Sequence, residues 1–202
     1  MGNLHSAGKA LEKVADGQKI IITGDPAQVR AADRVVFPGV GAIRDCIAVL
    51  KDTGLDQAIR DVAAAGKPLL GICVGMQAMM ARSEENHGVD CLGIFDGQVT
   101  FFGEQFSDTG VRLKVPHMGW NQVQQCMAHP MWAGIDNHTR FYFVHSYCVT
   151  GLPDDAVAGR CDYGLSFAAA AVQGNVFAVQ FHPEKSADAG LALLENFLRW
   201  QP

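Results

Sequence analysis

Three short, mostly apolar runs, at residues 20–22, 34–37 and 68–72, constrain this chain most. Each reads as a short strand, and the run at 20–22 suits a strand covered on both faces. Helical spacing fills the stretches around them. Leu4, Ala7, Leu11 and Val14 repeat on one helical face and stop at Gly17. Residues 42–51, 55–65 (closed by Gly66) and 75–82 read as further helices, and Gly24-Asp25-Pro26 reads as a turn. Strand alternating with helix predicts a parallel sheet with helices on both faces.

The second half changes character. Short strands are expected at 98–102, 119–124, 140–149 and 156–162. Gln173-Gly174-Asn175 reads as the turn of a hairpin between 167–172 and 176–181. A last helix follows Ser186, a candidate N-cap, with Leu191, Leu194 and Leu198 as its apolar stripe. No repeat, low-complexity tract or linker interrupts the 202 residues. That length suits one domain burying about 70% of its unfolded surface. The expected fold class is α/β: a single domain over 1–202, with a mixed or parallel central sheet, flanking helices and an antiparallel, β-rich second half.

Composition narrows the function. Hydrophobic residues at 49% and charged residues at 18% make a globular interior and not a disordered chain. A net charge of −5 argues against a nucleic-acid partner. No apolar run is long enough for a membrane span, and residues 1–13 hold no apolar core of a secretory signal. The six cysteines are scattered and form no CxxC pair, which points to reduced thiols in a cytosol. The seven histidines show neither HxxxH nor HExxH spacing, so no metal site is expected; His117, His138 and His145 read as structural or interface groups.

Three motifs carry chemistry. Gly71-Ile72-Cys73-Val74-Gly75 sits where a buried strand meets a helix, the G-x-nucleophile-x-G elbow pattern. Flanking glycines let the chain turn sharply there, the following helix N-terminus favours a thiolate at Cys73, and the Val74 N–H becomes an oxyanion donor. The competing reading is a small buried cysteine between two glycines that permit close packing. His182 and Glu184 follow an apolar strand, and in an extended segment residues two apart point the same way. A histidine beside a carboxylate is a base with its orienter, though such a pair is often a surface pair. Gly39 and Gly41 of Pro38-Gly39-Val40-Gly41 suit a turn whose N–H groups face a developing oxyanion, or a plain strand-to-helix turn.

Taken together, MGNL at the start, VFPGVGA at 36–42, GICVGMQ at 71–77 with SEE at 83–85, PHMGWN at 116–121, FYFVHSY at 141–147 and FHPEKS at 181–186 resemble a class I, triad-type glutamine amidotransferase. PHMGWN and the PGVG turn narrow the resemblance to the glutaminase subunits of imidazole glycerol phosphate synthase, over nearly the whole chain. The resemblance implies that Cys73 attacks the amide of L-glutamine, His182 serves as base and then acid, and Glu184 orients His182. It implies an oxyanion turn of Gly39, Val40 and Gly41 helped by Val74. Substrate contacts would come from Gln77, Glu85, Ser146 and Tyr147; for Glu85 a solvated helix end is the other reading. It also implies a cytoplasmic heterodimer with a TIM-barrel cyclase subunit, no cofactor and no metal. Asn3, Met118, Trp120 and Lys185 would face that partner, although Met118 and Trp120 also suit a core.

One departure stands out. The resemblance implies an apolar strand ahead of Met1-Gly2-Asn3, so the expectation is a sheet lacking its first strand and a true start upstream. Two other functions compete: a class I glutaminase serving a different synthase, and a non-catalytic relative that binds a partner. PHMGWN argues against the first, and the intact Cys73, His182 and Glu184 argue against the second.

Overall fold

The computed structural model describes residues 2–39, 41–107 and 109–202, without the side chains of Gly2 and Asn3. Val40, expected in the oxyanion turn, and the Asn3 side chain, expected at a partner face, lie outside the described residues. In chain order the elements are α1 (Gly2–Val14), α2 (Pro26–Ala31), β1 (Val35–Gly39), α3 (Ile43–Thr53), α4 (Leu55–Ala64), β2 (Leu69–Cys73) and α5 (Val74–Ala78). Then come β3 (Arg82–Ser83), β4 (Val89–Asp90), β5 (Gln98–Phe101), β6 (His117–Gln122), β7 (Gln124–Gln125), β8 (Arg140–His145) and β9 (Tyr147–Thr150). The chain closes with β10 (Val157–Asp162), β11 (Ser166–Gln173), β12 (Val176–Val179) and α6 (Ala187–Arg199).

The main sheet runs β1-β2-β12-β11-β9-β5-β3-β4, with β10 and β7 continuing from β11. β1, β2 and β12 are parallel, with Gly39 opposite Cys73 and Val179 opposite Ile72. β11 then turns the sheet antiparallel. The tight hairpin expected at 173–175 joins β11 to β12, with Gln173 opposite Val176. β6 and β8 form a separate antiparallel pair. All five residues of β2 are buried, as the unbroken apolar run requires of a strand covered on both faces. α3 buries Ile43, Ile47 and Leu50, and α6 buries Leu193, Leu194, Phe197 and Leu198; each set lies on one helical face. The antiparallel second half is therefore not a separate layer. Its last strand returns to lie beside β2, and that return builds the site. Among the described residues no helix is long and apolar enough to cross a membrane.

The structure departs from several sequence expectations. Residues 20–22 form no strand, and Ile21 and Ile22 are more than half exposed. A strand requires a hydrogen-bonded neighbour, and among the described residues none pairs with this segment or with the outer edge of β1. Segment and edge instead line one apolar groove of about 700 Å³ with Leu4 and Leu11. The turn at 24–26 starts α2, because Asp25 accepts from the Ala27 N–H at 2.9 Å and Pro26 takes the first helical position. The helix expected over 75–82 ends at Ala78, and Arg82 and Ser83 pair with both β4 and β5. The strand over 140–149 breaks at Ser146: β8 pairs with β6, while β9 pairs with β5 and β11.

Candidate active site

β2 delivers Cys73 to a sharp corner. The cysteine itself has φ 55° and ψ −111°, and the short α5 starts at the next residue. The sequence assigns the turn to the flanking glycines; the structure places it on the cysteine. The strained dihedrals sit on Cys73, while the glycines make room around it. A Cβ at Gly75 would drive into the Phe37 carbonyl oxygen of β1, and one at Gly71 would lie 2.8 Å from Met79 Sδ. Gly39 is equally tight, since its Cβ would come 2.7 Å from the Gly75 nitrogen. Three glycines thus let β1, β2 and α5 close around Cys73.

His182 arrives from β12. The parallel register that sets Val179 beside Ile72 carries the chain past Cys73, and the side chains of His182 and Cys73 line the same cavity and interact electrostatically. His182 Nδ1 lies 2.8 Å from Glu184 Oε1, with both side chains buried. The sequence reading placed His182 and Glu184 on one side of an extended segment. Residues Pro183–Lys185 form a 3₁₀ turn instead, and the turn folds the carboxylate back onto the imidazole. The His182 backbone is clamped by β8: its N–H donates to the Tyr142 carbonyl at 2.9 Å. Ser186 Oγ donates to the His182 carbonyl at 2.6 Å and accepts from the Tyr142 N–H at 3.0 Å. Ser186 is therefore not a side-chain N-cap of α6; its hydroxyl braces the His182 backbone against β8. Burial pulls the His182 imidazole down, but the hydrogen bonds and charges of Cys73 and Glu184 win and push it up to about 9.

A cavity of about 670 Å³ opens over Cys73 and His182, lined also by Gly39, Gly41, Val74, Gln77, Glu85, Ser146, Tyr147 and Lys185. The expected substrate residues therefore meet at one place. Their attachments differ from a simple row of grips. Gln77 is buried, and its Nε2 donates to the Tyr147 carbonyl and to Gln180 Oε1, both at 3.0 Å. Glu85 is half-buried, and its Oε2 accepts from the Ile43 N–H at 3.2 Å, so it also caps α3. Tyr147 packs its ring on Phe101. Lys185 is exposed beside the cavity, with Nζ 5.9 Å above the Tyr142 ring. Met118 and Trp120 sit on the outer face of β6, 61% and 50% exposed, which decides surface over core. They do not line the cavity.

Sequence reasoning missed Gln180, fully buried and within 3.7 Å of Cys73 Sγ. Its signal was a lone polar residue ending an apolar strand. His117 and His145, read as structural or interface groups, form a buried pair.

Residues 10–200 match the family model of class-I glutamine amidotransferases. The chain belongs to that family. Within it, the chain is 56% identical over 200 residues to imidazole glycerol phosphate synthase subunit HisH of Pseudomonas putida, covering 99% of this chain and 93% of the relative. It is also 56% identical over 201 residues to the HisH subunit of Acinetobacter baylyi, covering 99% and 94%. A crystal structure of a glutamine amidotransferase shares the fold, with a TM-score of 0.72 over 97% of this chain and 94% of that one, at 18% identity. In this class-I amidotransferase, then, the Cys73 corner and the His182–Glu184 turn both lie within the matched residues.

Proposed function

We propose that this chain hydrolyses L-glutamine as the HisH subunit of an imidazole glycerol phosphate synthase in histidine biosynthesis. The observation that carries the reading is the buried Cys73–His182–Glu184 array at the floor of one cavity, in a chain 56% identical to HisH subunits. The Cys73 thiolate attacks the side-chain carbonyl carbon of glutamine, and the oxygen takes up the negative charge facing Gly39–Gly41 and the Val74 N–H. Collapse breaks the C–N bond while protonated His182 gives its proton to the departing nitrogen, releasing ammonia and leaving a γ-glutamyl thioester. Neutral His182 then takes a proton from water as the water attacks the thioester. The second collapse expels the Cys73 thiolate and releases glutamate. Glu184 holds the Nδ1 proton of His182, so Nε2 is the nitrogen left for both transfers. Gln77, Glu85, Ser146 and Tyr147 hold the amino-acid end, with the Glu85 carboxylate suited to the α-ammonium.

The ammonia passes to a cyclase subunit with a TIM-barrel fold, in a cytoplasmic heterodimer. Exposed Met118 and Trp120 supply large apolar contacts for that partner, and Lys185 and Asn3 stand as further contacts. The PGVG turn is the gate: glycine tolerates both signs of φ, so partner binding can swing its N–H groups onto the oxyanion. The test is glutamate release from glutamine by the chain alone and with the cyclase subunit plus its nucleotide ligand. A large rise with both, lost in Cys73→Ala, is expected. Steady activity without the partner favours a freestanding glutaminase or a different synthase. No labelling of Cys73 by a glutamine-analogue alkylator and no activity in either arm favours a binding-only relative.

A further inference from the structure

A continuous buried relay ends at the Cys73 sulfur, and its sense can be worked out bond by bond. The Tyr147 carbonyl can only accept, and it receives Gln77 Nε2 at 3.0 Å and His145 Nδ1 at 2.8 Å. Gln77 therefore presents its nitrogen, and the same Nε2 donates to Gln180 Oε1 at 3.0 Å. With Oε1 held there, the Gln180 amide has one remaining orientation: Nε2 faces Cys73 Sγ at 3.7 Å. Flipping Gln180 would set N–H against N–H at one end and a carbonyl oxygen against sulfur at the other. The far end is equally constrained. His145 Nδ1 carries the proton, so its Nε2 accepts from His117 Nδ1 at 3.0 Å, and His117 Nε2 accepts from Asn121 Nδ2 at 3.3 Å. Burial pushes both imidazoles down, to about 4 at His117 and about 3 at His145, so both stay neutral and keep these tautomers near neutral pH.

We propose that Gln180 is a positioning residue for the nucleophile, aiming an uncharged N–H at Cys73 Sγ so that the thiolate is stabilised and held towards the substrate carbon. The proposal rests on Cys73 being the nucleophile. His182 gives up and regains a proton in each turnover, whereas the Gln180 donor does not titrate. It therefore holds the sulfur through every stage, including its departure from the thioester. Gln77 and the relay behind it keep the donor pointing one way.

The near-isosteric Gln180→Glu variant tests this in the assembled synthase. It keeps an acceptor for Gln77 and replaces the donor with a carboxylate oxygen. A hydrogen bond to a charged group predicts a loss in kcat of about 10–150-fold with KM changed little. On the same chain, alkylation of Cys73 by iodoacetamide slows in parallel, and the acid limb of its pH profile moves to higher pH. Unchanged kcat and an unchanged alkylation profile overturn the proposal, as does a loss confined to KM. Should the variant fold poorly, the wild-type protein supplies a second readout. The Gln180 side-chain ¹⁵N–H resonances should move with pH as Cys73 ionises and stop moving in Cys73→Ala; resonances indifferent to Cys73 refute the contact. Failure of the underlying reading looks different: Cys73→Ala would then retain glutaminase turnover.

Discussion

Cys73 sits at φ 55° and ψ −111°, outside the regions that a residue with a Cβ normally occupies. Comparing Cys73→Gly with Cys73→Ala isolates the consequence, because both lack the thiol and differ only in the Cβ. Holding a Cβ-bearing residue in such a conformation costs about 1–3 kcal/mol. Glycine relieves that strain but gives the unfolded chain about 0.4–1 kcal/mol more entropy to lose. The alanine methyl, at the edge of the cavity, returns a few tenths of a kcal/mol. The balance favours glycine by about 1 kcal/mol, the reverse of the usual order inside an ordered element. For a chain of 202 residues this corresponds to a melting temperature higher by about 2–4 °C. Urea unfolding of the two variants, with equal m-values, measures the difference directly. An alanine variant as stable as the glycine variant, or more stable, would refute the view that the corner stores strain on Cys73.

Glu184→Gln should lower kcat for glutamate release by roughly 10²–10⁴-fold with little change in KM, because the imidazolium loses its buried carboxylate. His182 should titrate below about 9 in that variant, which histidine NMR reads. His117 and His145 have folded values below the ordinary 6.5, so as pH falls from 6.5 towards 4 the unfolded chain takes up their protons first. Stability is therefore full above about 6.5 and drains with acidification. His117→Phe, which keeps the stacking on Tyr163, should remove about one proton, or about 1.4 kcal/mol per pH unit, from that slope in urea titrations. Gly75→Ala should destabilise the fold by about 1–3 kcal/mol or more, since the new methyl meets the backbone carbonyl of Phe37 and not a side chain that can move aside. Its urea midpoint checks this.

Much of the framework was legible because local rules decide it. The apolar run over 68–72 read as a strand from its length and composition, and the Gly-x-Cys-x-Gly pattern located the corner. Helices α1 and α6 followed from one-face spacing, α4 was closed by Gly66, and the 173–175 turn followed from its residues. What was not legible depended on neighbours. Residues 20–22 have strand composition, yet no described strand lies alongside to pair with them. Ser186 has the composition of an N-cap, but the carbonyl of His182 and the N–H of Tyr142 compete for its hydroxyl and win. Met118 and Trp120 could be core or surface until His117, on the opposite face of β6, packed against Phe102, Tyr163 and Phe167.

The sequence by itself determined which groups could do chemistry: a cysteine at a glycine-flanked corner, a His-x-Glu pair after a strand, and a glycine turn. These are short-range facts, set by the residue types and their spacing. Only the tertiary structure decided that they meet. Parallel pairing of β12 with β2 brings residue 182 to residue 73 across more than a hundred positions of chain, and the same register places Gln180 against the sulfur. Hydrogen bonding between strands depends on alignment in space, not on separation along the chain. The sense of the relay from Asn121 to Cys73 is likewise a property of the assembled interior, where each buried donor must find its acceptor.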